Sequence, residues 1–181
     1  AGYIAHKKVY KVLKITDDLA VTTAGDVSEI QLLAKLLKAE LNLKEVQTGK
    51  RSLVSEAANL LGGLVYSNFR KFSPTVAITG FLLGGRDMKG FYLYEIGLDG
   101  SVMDRDDYAS DGSGCVFALG VLETLYKKGL SIDEGVKLAV KSVNTAIQRD
   151  PNSGNGIVVM TITDKGVQTV MEKELETRLE A

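Results

Sequence analysis

Gln148-Arg149-Asp150-Pro151-Asn152-Ser153-Gly154 closes the most strongly periodic segment of this chain. Ahead of it, Ile132, Val136, Ala139, Val143 and Ile147 recur at helical spacing, and Ser131-Ile132-Asp133-Glu134 opens the segment as a capping box. The stretch therefore reads as the end of a helix, where Asp, Pro, Asn, Ser and Gly are ordinary turn residues. It also puts a carboxylate, Asp150, and a hydroxyl, Ser153, into one tight turn, which is the arrangement of a site.

A second polar turn, Ser110-Asp111-Gly112-Ser113-Gly114, stands before another apolar segment, Cys115 to Tyr126, which predicts a helix. Between these two helices and the first half of the chain lies a block of strand patterns: Thr75 to Leu83, Phe91 to Ile96 and Ser101 to Tyr108. Joined through Arg86-Asp87-Met88-Lys89-Gly90 and Asp99-Gly100, they predict an antiparallel meander. After the stretch quoted first comes a hairpin, Ile157 to Thr163 and Val167 to Val170 around Asp164-Lys165-Gly166, followed by a short charged helix from Glu172.

The first half follows the same logic. Val9 to Ile15 alternates as a half-buried strand, with Lys11 on the face shared by Val9, Leu13 and Ile15. Asp17-Asp18 turns it into a second strand, Leu19 to Thr23, ending at Gly25. A helix from Val27 to Val46 carries two apolar stripes, Ile30, Leu33, Ala34, Leu37, Leu41 and Leu32, Leu36, Ala39, Leu43, with Ser28 and Gln31 offering its capping box. Leu53, Ala57, Leu60, Leu61, Leu64 and Val65 mark another helix, weakened by Gly62-Gly63 in its interior. Strands in runs and helices in runs predict an α+β domain with helices layered on sheets.

At 181 residues, 45% of them hydrophobic, the chain supports one sizeable core, and we read residues 1–181 as a single domain. Its net charge of -1, dispersed rather than run into blocks, gives no basic footprint for nucleic acid. No apolar run approaches the ~20 residues of a membrane span. One cysteine rules out an internal disulfide, and with one histidine beside it no transition-metal cluster can be built, so no cofactor is expected. These features fit a cytoplasmic protein.

Three of these elements together, the lysine strand ending in Thr22-Thr23-Ala24-Gly25, the Tyr108-to-Gly114 run and Gln148-Arg149-Asp150, resemble the proteasome β-subunit family. The resemblance covers essentially the whole chain in order, including two helices and a Gly84-Gly85-Arg86-Asp87 turn. It implies a four-layer αββα sandwich, the N-terminal-nucleophile hydrolase fold. It also implies a threonine endopeptidase that degrades unfolded polypeptides in a chamber of stacked heptameric rings, with α subunits and other β subunits as partners. The family's first hairpin, which carries the nucleophilic threonine and a catalytic aspartate, is missing from these residues, so we expect Ala1 not to be the biological N-terminus. A β-type subunit with a purely structural role is the alternative, and an unrelated αββα binding module is a third.

A threonine hydroxyl needs a base and a nearby cation to act at neutral pH. The resemblance makes Lys11 that cation, Gly25 the oxyanion-hole donor, and Ser113, Asp150 and Ser153 the groups that hold the nucleophile's amine. Each has a plainer alternative: a strand lysine can snorkel to water, Gly25 can simply end a strand, Ser113 can cap a helix, and Asp150 with Ser153 can simply terminate one. The same correspondence lines a neutral pocket for the residue before the cut with Val9, Leu13, Thr23, Val27 and Gln31, all of which could equally be core positions.

Other hydrolase patterns fail. Ser113 lacks glycines two residues either side, so there is no nucleophile elbow. His6 is the only histidine available to a Ser-His-Asp triad. Cys115 reads as a buried small hydrophobe beside Phe117, and Gly84-Gly85 matches neither phosphate-loop pattern.

Overall fold

A computed structural model describes residues 9–72, 78–154 and 156–174. Its elements run β1 (Val12–Lys14), β2 (Leu19–Gly25), α1 (Val27–Thr48), α2 (Val54–Phe69), β3 (Thr79–Asp87), β4 (Gly90–Ile96), β5 (Val102–Asp104), α3 (Cys115–Leu125), α4 (Ile132–Arg149), β6 (Gly156–Thr163) and β7 (Gly166–Glu174). β1 to β5 form one antiparallel sheet in chain order, and β6 pairs with β7 in a second. Helices α1 and α2 cover the first sheet, α4 packs on β6 with α3 beside it, and β6 meets β1, β2 and β3 between the helix layers. The result is the four-layer αββα sandwich, helix, sheet, sheet, helix.

The core lies between the first sheet and α1/α2. Alternation along β2 sends Leu19 and Val21 to the helix side, where they join Phe81 and Leu83 of β3 and the buried stripe Ile30, Leu33, Leu37 and Leu41 of α1. The β1–β2 turn is fixed by Asp18, whose carboxylate takes Arg86 Nε at 2.7 Å and Arg51 Nη1 at 2.5 Å. That ties the turn to β3 and to the α1–α2 connection.

Several sequence expectations need correction. The Gly84-Gly85-Arg86-Asp87 turn is instead the end of β3, and the hairpin turns at Met88-Lys89. The glycines serve layer packing: a Cβ on Gly84 would meet Ile162 at 3.1 Å from the second sheet, and one on Gly85 would meet Leu19 at 2.4 Å and Val54 at 2.9 Å on the helix side. The Ser28/Gln31 capping box does not form, because Asp26 takes the N-cap position and leaves both residues inside α1. The Ser131/Glu134 box does form, with Ser131 Oγ accepting from the Glu134 amide. Strand β1 is limited to Val12–Lys14, and β5 to Val102–Asp104, shorter than their patterns suggest. Residues 172–174 continue β7 rather than start a helix, because they pair with 156–158. Cys115 is half-buried and Phe117 is exposed, since α3 has one face open to solvent. His6 and residues 75–77 of the expected strand lie outside the described residues.

Candidate active site

Asp150 is the centre of the site. It caps the C-terminus of α4, its amide donating to the Ala146 carbonyl at 2.8 Å, and its side chain is turned inward, leaving the residue only 6% exposed. Two hydroxyls converge on the same carboxylate oxygen: Ser113 Oγ donates to Oδ2 at 2.5 Å and Ser153 Oγ at 2.6 Å. The Asn152 amide donates to the other oxygen at 3.3 Å. The Ser113 and Ser153 hydroxyls hold this carboxyl below its usual titration range, outweighing the burial that opposes ionisation. Asp150 is therefore a buried, ionised acceptor at neutral pH.

The turn before α3 reaches this acceptor because Gly114, the N-cap of α3, has no side chain. A Cβ there would lie 2.8 Å from both Ala146 Cβ and Ser153 Oγ. The turn is braced at its start, where the Tyr108 hydroxyl donates to Glu123 of α3 and the Tyr108 ring meets Tyr126 edge-on at 5.1 Å. Its other side rests on the ends of β2 and β3. Gly112, at φ +95°, would place a Cβ 3.7 Å from Ala24 Cβ, and the Asp111 carboxylate occupies the space over Gly80, 2.4 Å from where a Cβ would be. Ala24 pairs with Gly80, and Gly25 follows at the strand end opposite Thr79.

Lys11 stands immediately before β1. The Thr23 amide donates to the Lys11 carbonyl at 2.9 Å, which places Lys11 beside the C-terminal end of β2. Alternation aims the Gly25 N–H toward the same edge two residues on, and no turn or loop carbonyl among the described residues accepts it. Lys11 is exposed, and among the described residues no ion pair joins it to Asp150. The structure thus joins Ser113, Asp150 and Ser153 directly, sets Gly112 next to Ala24, the neighbour of Gly25, and pairs Lys11 with Thr23.

The pocket candidates divide. Thr23 is buried and Leu13 packs against the core, so their plainer reading as core residues holds in part. Val9, Val27 and Gln31 are exposed, the last two one turn apart on α1. Three neighbours were not singled out as site residues by the sequence: Asp26, Asp111 and Gly80. Asp26 carried a usable signal, an Asp between a strand-ending glycine and a helical pattern, whereas nothing local marks Gly80 as the place where Asp111 lies.

A family model described as "Proteasome subunit" matches residues 1–162. A protein named proteasome subunit beta from Ferroglobus placidus is 38% identical over 179 residues, 99% of this chain and 83% of the relative. Proteasome subunit beta 2 of Pyrococcus furiosus is 40% identical over 96% of this chain and 81% of its own length. Proteasome subunit beta of Methanothermobacter thermautotrophicus is 38% identical over 98% and 82%. With this likeness running over nearly the whole chain, the chain belongs to the proteasome subunit family, among its β-type members.

Proposed function

We propose that this chain is a catalytic β subunit of the proteasome core particle, a threonine endopeptidase that cuts unfolded polypeptides inside a chamber of stacked heptameric rings in the cytoplasm. The observation that carries this reading is the convergence of two serine hydroxyls on buried Asp150. Such a cluster suits the holding of an α-amine next to a nucleophile.

In this reading the nucleophile is a threonine with a free α-amine, held by the candidate residues. Its α-amine takes the hydroxyl proton as the oxygen attacks the scissile carbonyl carbon. The Gly25 amide receives the resulting oxyanion, and Lys11 supplies the cation that favours the ionised oxygen. As the C–N bond breaks, the proton passes to the leaving amine, and water then hydrolyses the ester. Ser113, Asp150 and Ser153 orient the amine throughout. Val9, Leu13, Thr23, Val27 and Gln31 present no charge to the residue before the cut, which favours apolar side chains there. Sister β subunits and α subunits complete the particle.

The test is a peptidase assay on the full-length, assembled protein with fluorogenic peptides ending in apolar residues, alongside Lys11→Ala. We expect wild-type cleavage, and a loss of about 100-fold or more in the variant with assembly retained on size-exclusion chromatography. An assembled Lys11→Ala particle of full activity removes Lys11 from the mechanism. An assembled wild type that cuts nothing, with no threonine exposed at its mature N-terminus by mass spectrometry, establishes the structural-subunit alternative.

A further inference from the structure

Asp26 lies between Gly25, which ends β2, and Val27, which begins α1. An aspartate at an N-cap ordinarily turns its carboxylate back onto the first-turn amides of its own helix. This one does not: the N-cap of α1 makes no side-chain bond to the helix. Asp26 Oδ2 instead accepts from the Ile78 amide at 3.0 Å, while the Asp26 amide donates to the Ile78 carbonyl at 2.9 Å. Two hydrogen bonds of opposite direction to one residue fix both the distance and the rotation of the Gly25–Asp26 segment against the start of β3.

Gly25 needs such a clamp. It sits at φ +115°, and a Cβ on it would fall 1.9 Å from the Ile78 carbonyl oxygen. Only glycine fits, so no side chain of its own can stiffen it, and glycine is the residue with most backbone freedom. The Ala24–Gly80 pair holds it from one side. The Asp26–Ile78 bonds hold it from the other.

We propose that Asp26 is a positioning residue that keeps the Gly25 amide aimed at the developing oxyanion, an inference that rests on the proteolytic reading above. Its carboxylate touches no reacting atom, and it acts through the backbone. Asparagine keeps an acceptor oxygen for the Ile78 amide, alanine keeps none, and serine keeps a helix-capping hydroxyl too short to reach Ile78.

The experiment compares Asp26→Ala, Asp26→Ser and Asp26→Asn in the full-length assembled protein by kcat and KM on an apolar peptide. Inhibition by a peptide aldehyde, whose hemiacetal oxygen needs the same donor, is measured alongside. Misaiming a donor costs less than deleting it, so we expect Ala and Ser to lower kcat about 10-fold with KM within about twofold, aldehyde affinity to fall in parallel, and Asn to recover to within about threefold. The Ser variant separates the clamp from helix capping should Ala disturb folding. Wild-type kcat in the Ser variant, a rise in KM at constant kcat, or no recovery with Asn overturns the inference while the proteolytic reading stands. An inactive wild-type particle overturns both.

Discussion

Asp150 receives the Ser113 and Ser153 hydroxyls on one oxygen and the Asn152 amide on the other, and all three favour its ionised form. Its carboxyl therefore titrates below the ordinary value of 3.8 in the folded chain. A depressed folded-state pKa means that the unfolded chain binds the proton more readily. The stabilisation is fully present above pH 3.8 and is lost as the pH falls through the lower folded value. Replacing both serines with alanine removes the two largest causes and leaves burial opposing ionisation. The Asp150 titration should then move upward, read by carboxyl-carbon NMR, and acid unfolding should begin at higher pH than in the wild type. An unmoved midpoint would mean that the hydroxyls do not set the ionisation. At this scale the sequence was informative about residue types in turns: Asp150, Ser153 and Ser113 stood out because small polar residues gathered next to periodic helices. It was silent on Asp111 over Gly80 and on the clamp between Asp26 and Ile78, because those contacts join residues 31 and 52 positions apart, and no local pattern encodes them.

Helix α2 shows the same limit for whole elements. Its adjacent glycines, Gly62 and Gly63, each cost about 1 kcal/mol of helix propensity relative to alanine, yet the helix runs unbroken from Val54 to Phe69. The two positions differ in what faces them. A Cβ on Gly62 would lie 2.4 Å from Val102 Cγ2 and 2.9 Å from the Gly100 carbonyl, whereas one on Gly63 would meet nothing within 4 Å. Gly63→Ala should therefore stabilise the fold by about 0.5–1 kcal/mol. Gly62→Ala should destabilise it by about 1–3 kcal/mol, because the β4–β5 turn must retreat. Urea unfolding of the two variants decides it, and shifts of the same sign would contradict the close packing of α2 on that turn. Among the described residues, periodicity revealed α1, α2 and α4 and both hairpin partners of the second sheet, since burial of one face writes a repeat into the sequence. It misplaced Gly84-Gly85 as a turn, because a glycine needed for layers to approach looks the same as a glycine needed for a chain to reverse.

For the whole molecule, the informative surface is the outer face of α1. Leu32, Leu36, Ala39, Leu43 and Val46 follow one another at alternating spacings of four and three residues, the narrow seam along which helices pair. Ile30, Leu33, Ala34, Leu37 and Leu41 already bury the opposite face in the chain's own core, so the seam has no work in the isolated fold. Leu32, Leu36, Leu43 and Val46 are all exposed, Val46 at 83%. A chain of the proteasome subunit family assembles with other subunits, and a continuous apolar stripe is what such contacts cover. Leu36→Glu combined with Leu43→Glu should therefore reduce the assembled fraction of the full-length protein at micromolar concentration by native mass spectrometry. The same pair should change the stability of the unassembled chain by no more than about 0.5 kcal/mol per site, the range of surface substitutions away from the core. Intact assembly in the double variant would take α1 out of the interface. Loss of the monomer fold itself would mean that the seam is covered within the chain after all. Only reduced assembly from a chain that still folds alone identifies this face as a subunit contact.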